Sequence, residues 1–371
     1  MKILIIANSS NIWVHSFIKN VISPSNDVYL LYSGLLKPEY QQTYKEREMV
    51  IFGKDKLIYR LPKVGSLIRR NDYCKEISKE KFDYCIILNT TSYRLSIWNK
   101  VKNNIDRTVV LYWGSDIHRV PKEELKLQKK YLDCVDKIVF TAENLKQSFM
   151  SLYPKEYLSK ISVIQFGLDS LESITKVQET YSRIEIKEEL GIPIDKTIVA
   201  IGYCGIPEQQ HLRIIRELAA LKIEEKKNMC VMLQFMYNTK ADYREQVINS
   251  LKNSNISYIS FDRFLSPPEL AKLRYATDIF INAQTTDALA GSVLETVYAG
   301  GKLINGSWLK YPEMKTWGVK NWQFDEFEEL NNVFREAMSV DFHPSEESLE
   351  KLRNTMSWLR CREKWNELLA Q

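Results

Sequence analysis

Short apolar runs recur along the chain, and each is followed by a polar loop and then by apolar residues at helical spacing. Residues 2–7 form a β-branched and leucine-rich run, which predicts a buried parallel strand. Runs at 27–32, 84–88 and 108–113 predict further strands in the first half. This alternation predicts a doubly wound α/β domain, in which ligands bind beyond the carboxyl ends of strands. The candidate ligand loops are 8–11, 89–93 and 114–119.

The second half repeats the pattern after a polar segment, 170–185, that lacks strong periodicity. We place the domain boundary in that segment, so that 1–172 and 173–345 are the two α/β domains. A short helix is predicted at 186–190, and the apolar spacing of 346–369 predicts a helical tail. Strands of the second half are predicted at 197–203, 231–237, 258–261, 279–281 and 302–304.

Composition sets limits on this picture. The 371 residues suffice for two domains with substantial cores, and 44% hydrophobic with 27% charged residues is ordinary for a globular protein. The formal net charge of +5 is too small to indicate nucleic-acid binding, but it is compatible with phosphorylated ligands or an anionic membrane surface. The first apolar run ends in polar residues, which favours a strand over a signal peptide. No apolar stretch approaches the roughly 18 residues of a transmembrane helix, so we expect a cytoplasmic protein.

Cofactor and metal sites are not expected from the sequence. The six cysteines are scattered without a C-x-x-C pair, and there are only four histidines, which argues against metal sites and disulfide frameworks. No G-x-G-x-x-G motif follows the first strand, which argues against a nicotinamide-binding domain.

The stretch 278–311 combines the features of an anion-binding site. An apolar run predicts a strand, a polar loop follows, and a helix is predicted to open at Ser292, directly after Gly291. Backbone N–H groups and the positive end of a helix favour anions at such a junction. Glu295 lies one turn into this helix, too far in for a simple cap, and a carboxylate there suits paired sugar hydroxyls. An ordinary strand–loop–helix with a surface glutamate is the alternative.

The spacing Asp287-x7-Glu295, followed by a glycine pair and a strand, resembles the E-x7-E element of GT-B glycosyltransferases that use nucleotide-sugar donors. The resemblance implies that Glu295 binds the nucleotide ribose and that Asp287 lies near the donor sugar. It also implies that Ala290, Gly291 and Ser292 hold the diphosphate. The implied fold has two Rossmann-like domains facing a cleft, with a C-terminal helix, 346–371, that crosses back toward the first domain.

A second set of motifs ends the first half of the chain and resembles the h-G-S-D, "aD.ii..s..l" and "i.vipnGvD" pattern of the same enzymes. By this resemblance Asp116 and His118 border the cleft. A general base for an acceptor hydroxyl is a carboxylate or an imidazole within hydrogen-bond reach, so Asp116, His118 and His15 are candidates. A structural role, as a cap for Asp116 or on a helix face for His15, is the alternative. Asn8 and Ser9 are the other candidates for acceptor binding.

The loop after the first strand of the second half lacks the Arg and Lys that grip the diphosphate in many retaining GT-B enzymes. It instead resembles the G-N-x-G-x-P-x-N-x-H loop of the 4-acetamido-4,6-dideoxygalactose transferases, which act on a polyprenyl-diphosphate acceptor. Gly202, Gly205, Pro207 and His211 match that loop in position. The resemblance assigns Gly202, Tyr203 and Gly205 to donor binding.

Residues on two later loops complete the predicted donor site. Phosphate oxygens need hydrogen-bond donors, and Lys240 would supply a point charge. By the GT-B resemblance the loop around 261–264 lies under the nucleotide base, which makes Arg263 and Phe264 candidate contacts. An exposed loop lysine and ordinary core packing are the respective alternatives.

These features together predict a metal-independent glycosyltransferase, hexosyl or deoxyhexosyl, that moves a sugar from a nucleotide-diphosphate donor to a hydroxyl of a glycan or lipid-linked glycan acceptor. The expected role is bacterial surface polysaccharide synthesis at the cytoplasmic face of the membrane, with no nucleic-acid partner. A non-catalytic glycosyltransferase-like subunit that binds a catalytic homologue or an acceptor is the first alternative, and a sugar-nucleotide epimerase is the second. Retention or inversion stays open, because the two resemblances imply different outcomes.

Residues 52–71 interleave basic and apolar side chains. Such a segment can lie on an anionic membrane or form a solvated basic face, and the lipid-linked acceptor implied by the resemblance favours the membrane. The basic residues are Lys54, Lys56, Arg60, Lys63, Arg69 and Arg70.

Overall fold

The computed structural model describes residues 1–31, 38–53, 56–62, 64–153, 157–236 and 239–370. They form two compact units: Met1–Gly167 together with Trp358–Gln371, and Leu168–Ser357. Lys54 and Lys63, and the last residues of the strands predicted at 27–32 and 231–237, lie outside the described residues.

The first unit is built on a seven-stranded parallel sheet. Its strands are β1 (Lys2–Ile6), β2 (Asp27–Leu31), β3 (Val50–Phe52), β4 (Phe82–Leu88), β5 (Ile105–Tyr112), β6 (Lys137–Phe140) and β7 (Ile161–Val163). They lie in the order β3-β2-β1-β4-β5-β6-β7. The helices that follow them are α1 (Ile12–Asn20), α2 (Pro38–Glu46), α3 (Gly65–Ile77), α4 (Ser92–Val101), α5 (Ser115–His118), α6 (Lys122–Leu132) and α7 (Glu143–Leu152). Short 3-10 helices lie at Leu57–Arg60, Lys102–Asn104 and Leu158–Lys160.

The second unit contains a six-stranded parallel sheet in the order β10-β9-β8-β11-β12-β13. These strands are β8 (Thr197–Ile201), β9 (Met229–Gln234), β10 (Tyr258–Phe261), β11 (Ile279–Asn282), β12 (Lys302–Gly306) and β13 (Asn321–Phe324). The helices are α8 (Ser170–Thr180), α9 (Arg183–Glu189), α10 (His211–Ala219), α11 (Ile223–Lys227), α12 (Ala241–Asn253), α13 (Pro267–Ala276), α14 (Gly291–Tyr298), α15 (Pro312–Trp317), α16 (Leu330–Ser339) and α17 (Glu346–Met356). Short 3-10 helices lie at Pro207–Gln209 and Phe327–Glu329, and α18 (Trp358–Ala370) belongs to the first unit. Within the described ranges, no helix combines the length and apolar character needed to span a bilayer.

The doubly wound α/β architecture predicted from the alternating pattern is confirmed in both halves. The central strands are buried on both faces because helices cover each sheet, which is why their sequences are continuous apolar runs and not alternating ones. In the first sheet β1 lies between β2 and β4, and in the second sheet β8 lies between β9 and β11. The strand order therefore reverses at β1/β4 and at β8/β11, and ligand crevices are expected at the carboxyl ends of these pairs.

The helical tail does not form the single helix that its pattern predicts. Ser357 has an extended backbone (φ −73°, ψ 144°), so α17 ends there and α18 begins at Trp358. In the first unit, Trp358 packs against Phe166 and Trp365 against Phe17, with ring centroids 4.8 Å and 4.9 Å apart. The apolar residues of the tail thus serve two separate cores.

One further expectation needs correction. The segment 170–185 is mostly helical, because Leu171, Ile174 and Val177 recur at helical spacing and are buried on one face of α8. On α13 the buried face includes a charged residue, Arg274, which is 2% exposed, whereas Leu270 and Tyr275 are only half-buried.

Candidate functional site

The loops after β8 and β11 meet at the carboxyl end of the second sheet, at its switch point. The backbone N–H of Thr285 donates to the carbonyl of Glu208 at 2.9 Å. The side-chain amide of Gln210 donates to the carbonyl of Ala283 at 2.6 Å. The predicted donor loop and the loop that carries Asp287 are therefore one connected surface.

Gly202 begins the loop after β8 with a positive φ of 62°. A Cβ there would lie 2.7 Å from Oε1 of Gln209, so the close approach of this side chain requires a glycine. Gln209 accepts a hydrogen bond from the backbone N–H of Tyr203 at 3.1 Å and donates to Oε1 of Gln284 at 2.6 Å. Gln209 and Gln284 are fully buried, and among the described residues Nε2 of Gln284 has no hydrogen-bond partner. This amide pair holds the two loops at a fixed distance.

His211 ends the same loop as a buried, neutral side chain. Burial lowers its pKa to about 4, although the carbonyl of Ile201 acts in the opposite direction. Its Nδ1 lies 3.2 Å from the hydroxyl of Tyr243 on α12. His211 therefore anchors the start of α10 to α12.

Lys240 lies beside this loop, directly before α12. The backbone N–H of Lys240 donates to the carbonyl of Gly205 at 3.4 Å, and the residue occupies the N-cap position of α12 without a side-chain capping hydrogen bond. Its side chain is exposed. The loop after β8 and the loop after β9 are thus adjacent, as the sheet order requires.

Asp287 shapes the loop that leads into α14. Its Oδ2 accepts a hydrogen bond from the backbone N–H of Ala290 at 3.0 Å and another from the hydroxyl of Tyr311. Asn282 in turn donates to that hydroxyl at 2.8 Å. Leu289, which lies between Asp287 and Ala290 in sequence, has a left-handed backbone with φ 65°. Burial and the neighbouring Asp287 raise the pKa of Tyr311, so the phenol stays protonated and keeps donating.

The start of α14 is close to a buried cation. The helix begins at Gly291, one residue before the predicted start, and Nη2 of Arg274 donates to Oγ of Ser292 at 2.8 Å. Nε of Arg274 donates to Oε2 of Glu295 at 2.9 Å, and Oγ of Ser170 donates to Oε1 at 2.6 Å. Glu295, 6% exposed, is therefore part of a buried ionic cluster and not a surface glutamate.

The cluster extends to β9. Nη1 of Arg274 donates to Oε1 of Gln234 at 2.6 Å, and Gln234 is fully buried. Within the described residues Nε2 of Gln234 has no hydrogen-bond partner. The guanidinium thus links β9, α13 and α14 at the carboxyl end of the sheet, and burial without its partners would be costly.

Arg263 and Phe264 follow β10, two strands away from β8 in the sheet. Phe264 is 52% exposed, so it does not take part in core packing. Arg263 forms an exposed ion pair with Glu269 at the start of α13. Both residues lie at the carboxyl end of the parallel strands, as does the start of α14.

The predicted residues of the first unit lie at the carboxyl end of its own sheet. Asp116 is 2% exposed, and its carboxylate accepts hydrogen bonds from the backbone N–H groups of Thr90 at 2.8 Å, Trp113 at 3.0 Å and Gly114 at 2.8 Å. Burial raises the pKa of Asp116 to about 6, and the backbone N–H groups partly offset this. The carboxylate joins the loops after β4 and β5, which favours the structural role over that of a base.

The other predicted residues of this unit occupy the first loop and two short helical segments. Oδ1 of Asn8 accepts a hydrogen bond from the backbone N–H of Ser10 at 3.1 Å, and Ser9 is fully buried. His15 stacks on Tyr40 with ring centroids 4.3 Å apart, which favours the helix-face role. His118 is half-buried at the end of α5.

Sequence reasoning missed the residues that hold Glu295. Ser170 and Arg274 lie 125 and 21 positions from Glu295, so no local motif joins them. One signal was available: an arginine stands among Ala271, Leu273 and Ala276 on the apolar face of α13. The described residues contain no group of three or more His, Cys, Asp or Glu side chains that could hold a metal ion.

Several solved glycosyltransferases share this fold. A glycosyltransferase from Rickettsia africae has a TM-score of 0.76 at 12% identity, over 99% of this chain and 97% of that one. The sucrose-phosphate synthase of Thermosynechococcus elongatus has a TM-score of 0.76 at 10% identity, over 100% and 98%. HepE of Anabaena, in complex with UDP and glucose, has a TM-score of 0.70 at 12% identity, over 100% and 99%. No protein-family model and no curated sequence matches. The predicted GT-B fold is thus confirmed.

Proposed function

We propose that this protein is a glycosyltransferase that moves a sugar from a nucleotide-diphosphate donor to a hydroxyl of a glycan acceptor. The observation that carries the proposal is the start of α14 at the β8/β11 switch point, where backbone N–H groups lie beside the cation of Arg274. A helix N-terminus and a guanidinium both favour a diphosphate.

The loop after β8 lacks the Arg and Lys pair that would bind the diphosphate, and we propose that Arg274 supplies the positive charge instead. The guanidinium donates to Ser292 in the first turn of α14, so a phosphate at this helix start would lie within reach of its field. Lys240, exposed at the start of α12, is the second cation proposed for the diphosphate. In this proposal the protein supplies the positive charge and needs no metal ion.

Glu295 is proposed to hold the ribose of the nucleotide. Each oxygen of a carboxylate has two acceptor positions, and the bonds from Ser170 and Arg274 use one position on each oxygen of Glu295. The remaining positions suit the two vicinal hydroxyls of a ribose. Asp287 is proposed near the donor sugar, and Gly202, Tyr203 and Gly205 near the diphosphate or sugar.

The nucleotide of the proposed donor is supported by the fold neighbours. HepE of Anabaena was solved in complex with UDP and in complex with UDP-glucose. A neighbour from Burkholderia vietnamiensis is described as a UDP-forming α,α-trehalose-phosphate synthase. We therefore take UDP as the first nucleotide to test, with Arg263 and Phe264 as the proposed contacts of the base.

In the proposed reaction the acceptor oxygen forms a bond to the sugar, the bond between the sugar and the diphosphate breaks, and negative charge builds on the departing diphosphate. N–H groups at the start of α14, and Arg274, would stabilise that charge where it develops. His118 is the proposed base for the acceptor hydroxyl, with Asp116 holding its loop. Asn8 and His15 are the proposed acceptor contacts, whereas Ser9, which is fully buried, would act by shaping their loop. The proposed acceptor is a glycan or lipid-linked glycan of bacterial surface polysaccharide synthesis, at the inner face of the membrane.

A non-catalytic glycosyltransferase-like subunit is the second candidate. The observation that favours it is that both predicted acids already have protein partners: Asp287 holds Ala290 and Tyr311, and Glu295 holds Arg274 and Ser170. Such a subunit would keep these bonds as structure and would show no nucleotide response.

Thermal denaturation with a panel of UDP, GDP, dTDP and their sugars distinguishes the two candidates. The informative variant is Glu295→Gln, because it keeps the size of the side chain but removes the charge that pairs with Arg274. Glu350→Gln, at an exposed position on α17, is the matched control. We expect one nucleotide to raise the melting temperature of the wild type and the control but not of Glu295→Gln.

Two results would contradict this expectation, and the first would also overturn the proposed function. Absence of any shift in the wild type would favour the partner-subunit candidate, and the next step would be a search for a bound homologue. An equal shift in the wild type and Glu295→Gln would remove Glu295 from the donor site while leaving nucleotide binding intact.

A further inference from the structure

Five large apolar side chains are exposed to solvent in the segment that runs from the 3-10 helix Leu57–Arg60 to the first turn of α3. Their exposed fractions are 80% for Leu57, 45% for Ile58, 51% for Leu61, 51% for Val64 and 49% for Leu67. Contiguous exposed apolar residues mark interaction sites, whereas single ones need no explanation. We call these five residues the 57–67 surface.

The 57–67 surface is held in shape by a buried aromatic residue. Tyr59 is 6% exposed, its hydroxyl donates to Oδ2 of Asp72 at 2.7 Å, and the guanidinium of Arg69 lies 5.1 Å from its ring. The segment packs so closely that a Cβ on Gly65 would lie 2.3 Å from the carbonyl oxygen of Tyr59. The fold thus buries the tyrosine and turns the aliphatic side chains outward.

Positive charge surrounds the 57–67 surface. Between positions 56 and 71 the sequence contains no acidic residue. Lys56 and Arg60 are exposed, and Arg69 and Arg70 are half-buried on α3. Acidic residues flank this stretch in sequence at Asp55 and Asp72, and Asp72 pairs with Lys56 at 2.7 Å.

We propose that the 57–67 surface docks the protein on an anionic lipid bilayer, with the aliphatic side chains inserted among the headgroups and the flanking basic residues on lipid phosphates. Apolar side chains rimmed by lysine and arginine are the combination that binds interfaces peripherally. Basic residues near an anionic leaflet add attraction that falls off within a Debye length. This inference does not rest on the proposed donor site, since the residues belong to a different compact unit.

The chemistry of the surface favours lipid over a protein partner. Centres of protein interfaces are enriched in tryptophan, tyrosine and arginine, which offer directional contacts. The five residues of the 57–67 surface are all aliphatic, and the tyrosine of the segment, Tyr59, is buried. A second copy of this chain would also bring two basic rims together, which is unfavourable.

Vesicle flotation of the full-length protein tests the proposal. Vesicles are made of phosphatidylcholine alone or of an equimolar mixture with phosphatidylglycerol. The variant is Leu57→Asn with Leu61→Asn, and the matched control is Leu158→Asn with Leu359→Asn, at leucines that are 54% and 57% exposed outside the 57–67 surface. We expect wild type and control to float with the mixed vesicles only, and the Leu57/Leu61 variant to bind at least about tenfold more weakly.

The outcomes separate the alternatives. Salt should weaken binding of the wild type, and circular dichroism and the melting temperature should show that all variants fold. No flotation with the mixed vesicles, or equal flotation of the Leu57/Leu61 variant and its control, would overturn the proposal. So would a wild-type dimer that becomes a monomer in the Leu57/Leu61 variant without vesicle binding, because the surface would then join two copies. If a nucleotide still raises the melting temperature of the Leu57/Leu61 variant, its loss of vesicle binding does not come from damage to the proposed donor site.

Discussion

The two units each bury an acidic side chain at the carboxyl ends of their parallel strands, but they satisfy it differently. In the first unit Asp116 accepts hydrogen bonds from main-chain N–H groups of the loops after β4 and β5. In the second unit Glu295 accepts from the guanidinium of Arg274 and the hydroxyl of Ser170. A carboxylate bound by main chain fixes loops, whereas a carboxylate paired with a cation at a helix start forms a charge cluster that a bound anion can share.

The largest expected effect follows from breaking the ion pair. Arg274→Ala leaves the carboxylate of Glu295 buried without its cation, and removal of one partner of a buried pair costs about 3–5 kcal/mol. We expect the loss in the second unit, measured as faster urea-dependent hydrogen exchange in β8 and β11. The strands β4 and β5 of the first unit serve as the internal reference.

An exposed ion pair is the control for Arg274→Ala. Arg335 pairs with Glu225 at 2.6 Å with both side chains partly exposed, so Arg335→Ala should cost much less stability than Arg274→Ala. Equal losses in Arg274→Ala and Arg335→Ala would contradict the claim that burial distinguishes the second unit's acid.

Lowering the pH should change the stability contributions of Asp116, in the first unit, and His211, in the second unit, in opposite directions. The pKa of Asp116 is raised from 3.8 to about 6, so the folded state binds the proton first and stability rises as the pH falls from about 6 to about 4. The pKa of His211 is lowered from 6.5 to about 4, so the unfolded state binds the proton first and stability falls as the pH drops from about 6.5 to about 4. Each effect is on the order of 3 kcal/mol.

Two variants isolate these opposing contributions. We compare the free energy of unfolding of each variant with that of the wild type at the same pH. For Asp116→Asn this difference should favour the variant more at pH 7 than at pH 4. For His211→Gln it should favour the variant more at pH 4 than at pH 7. Urea midpoints at pH 7, 5.5 and 4 provide the measurement. A variant-to-wild-type difference that does not change with pH would show that the residue titrates alike in the folded and unfolded chain.

The contrast between the units also explains what could be predicted from sequence. The strand, loop and helix that lead to Glu295 were predicted to within one residue at the helix start, because an apolar run, a glycine and a glycine pair mark their ends. The break of the tail at Ser357 was missed, since α17 and α18 have the same apolar spacing and only tertiary packing assigns them to different cores. The helix α8 was missed because polar residues outnumber its few apolar positions.

Asp116 and Glu295 also differ in how far along the sequence their hydrogen-bond partners lie. Asp116 is held by Trp113 and Gly114, which are neighbours in sequence, so a capping role was foreseen as an alternative. The partners of Glu295 come from α8 and α13, and their distance in sequence hides them from any motif. Long-range burial decides such contacts, and a single sequence does not encode it as a local pattern.

The two switch points differ at the residue that follows the central strand, and this difference predicts a smaller effect. β8 runs into Gly202 with φ 62°, whereas β1 runs into Ala7. Gly202→Ala adds a Cβ 2.7 Å from Gln209 and forces a left-handed alanine, at a cost of about 1–3 kcal/mol. Ala7→Gly should cost about 0.5–1 kcal/mol through backbone entropy. Thermal denaturation of both variants measures the difference, and a greater loss for Ala7→Gly would contradict it.

The smallest expected effect concerns Arg263, which pairs with Glu269 at the surface of the second unit. Arg263→Ala should change stability little, because water screens an exposed pair and both side chains gain freedom. If Arg263 contacts the base of the proposed donor, the same variant should nevertheless reduce the thermal shift produced by UDP. Comparison with Arg335→Ala supplies the control, since both variants remove an exposed arginine from the second unit. An unchanged UDP shift in Arg263→Ala would restrict the proposed donor site to the α14 cluster of Arg274, Ser292 and Glu295.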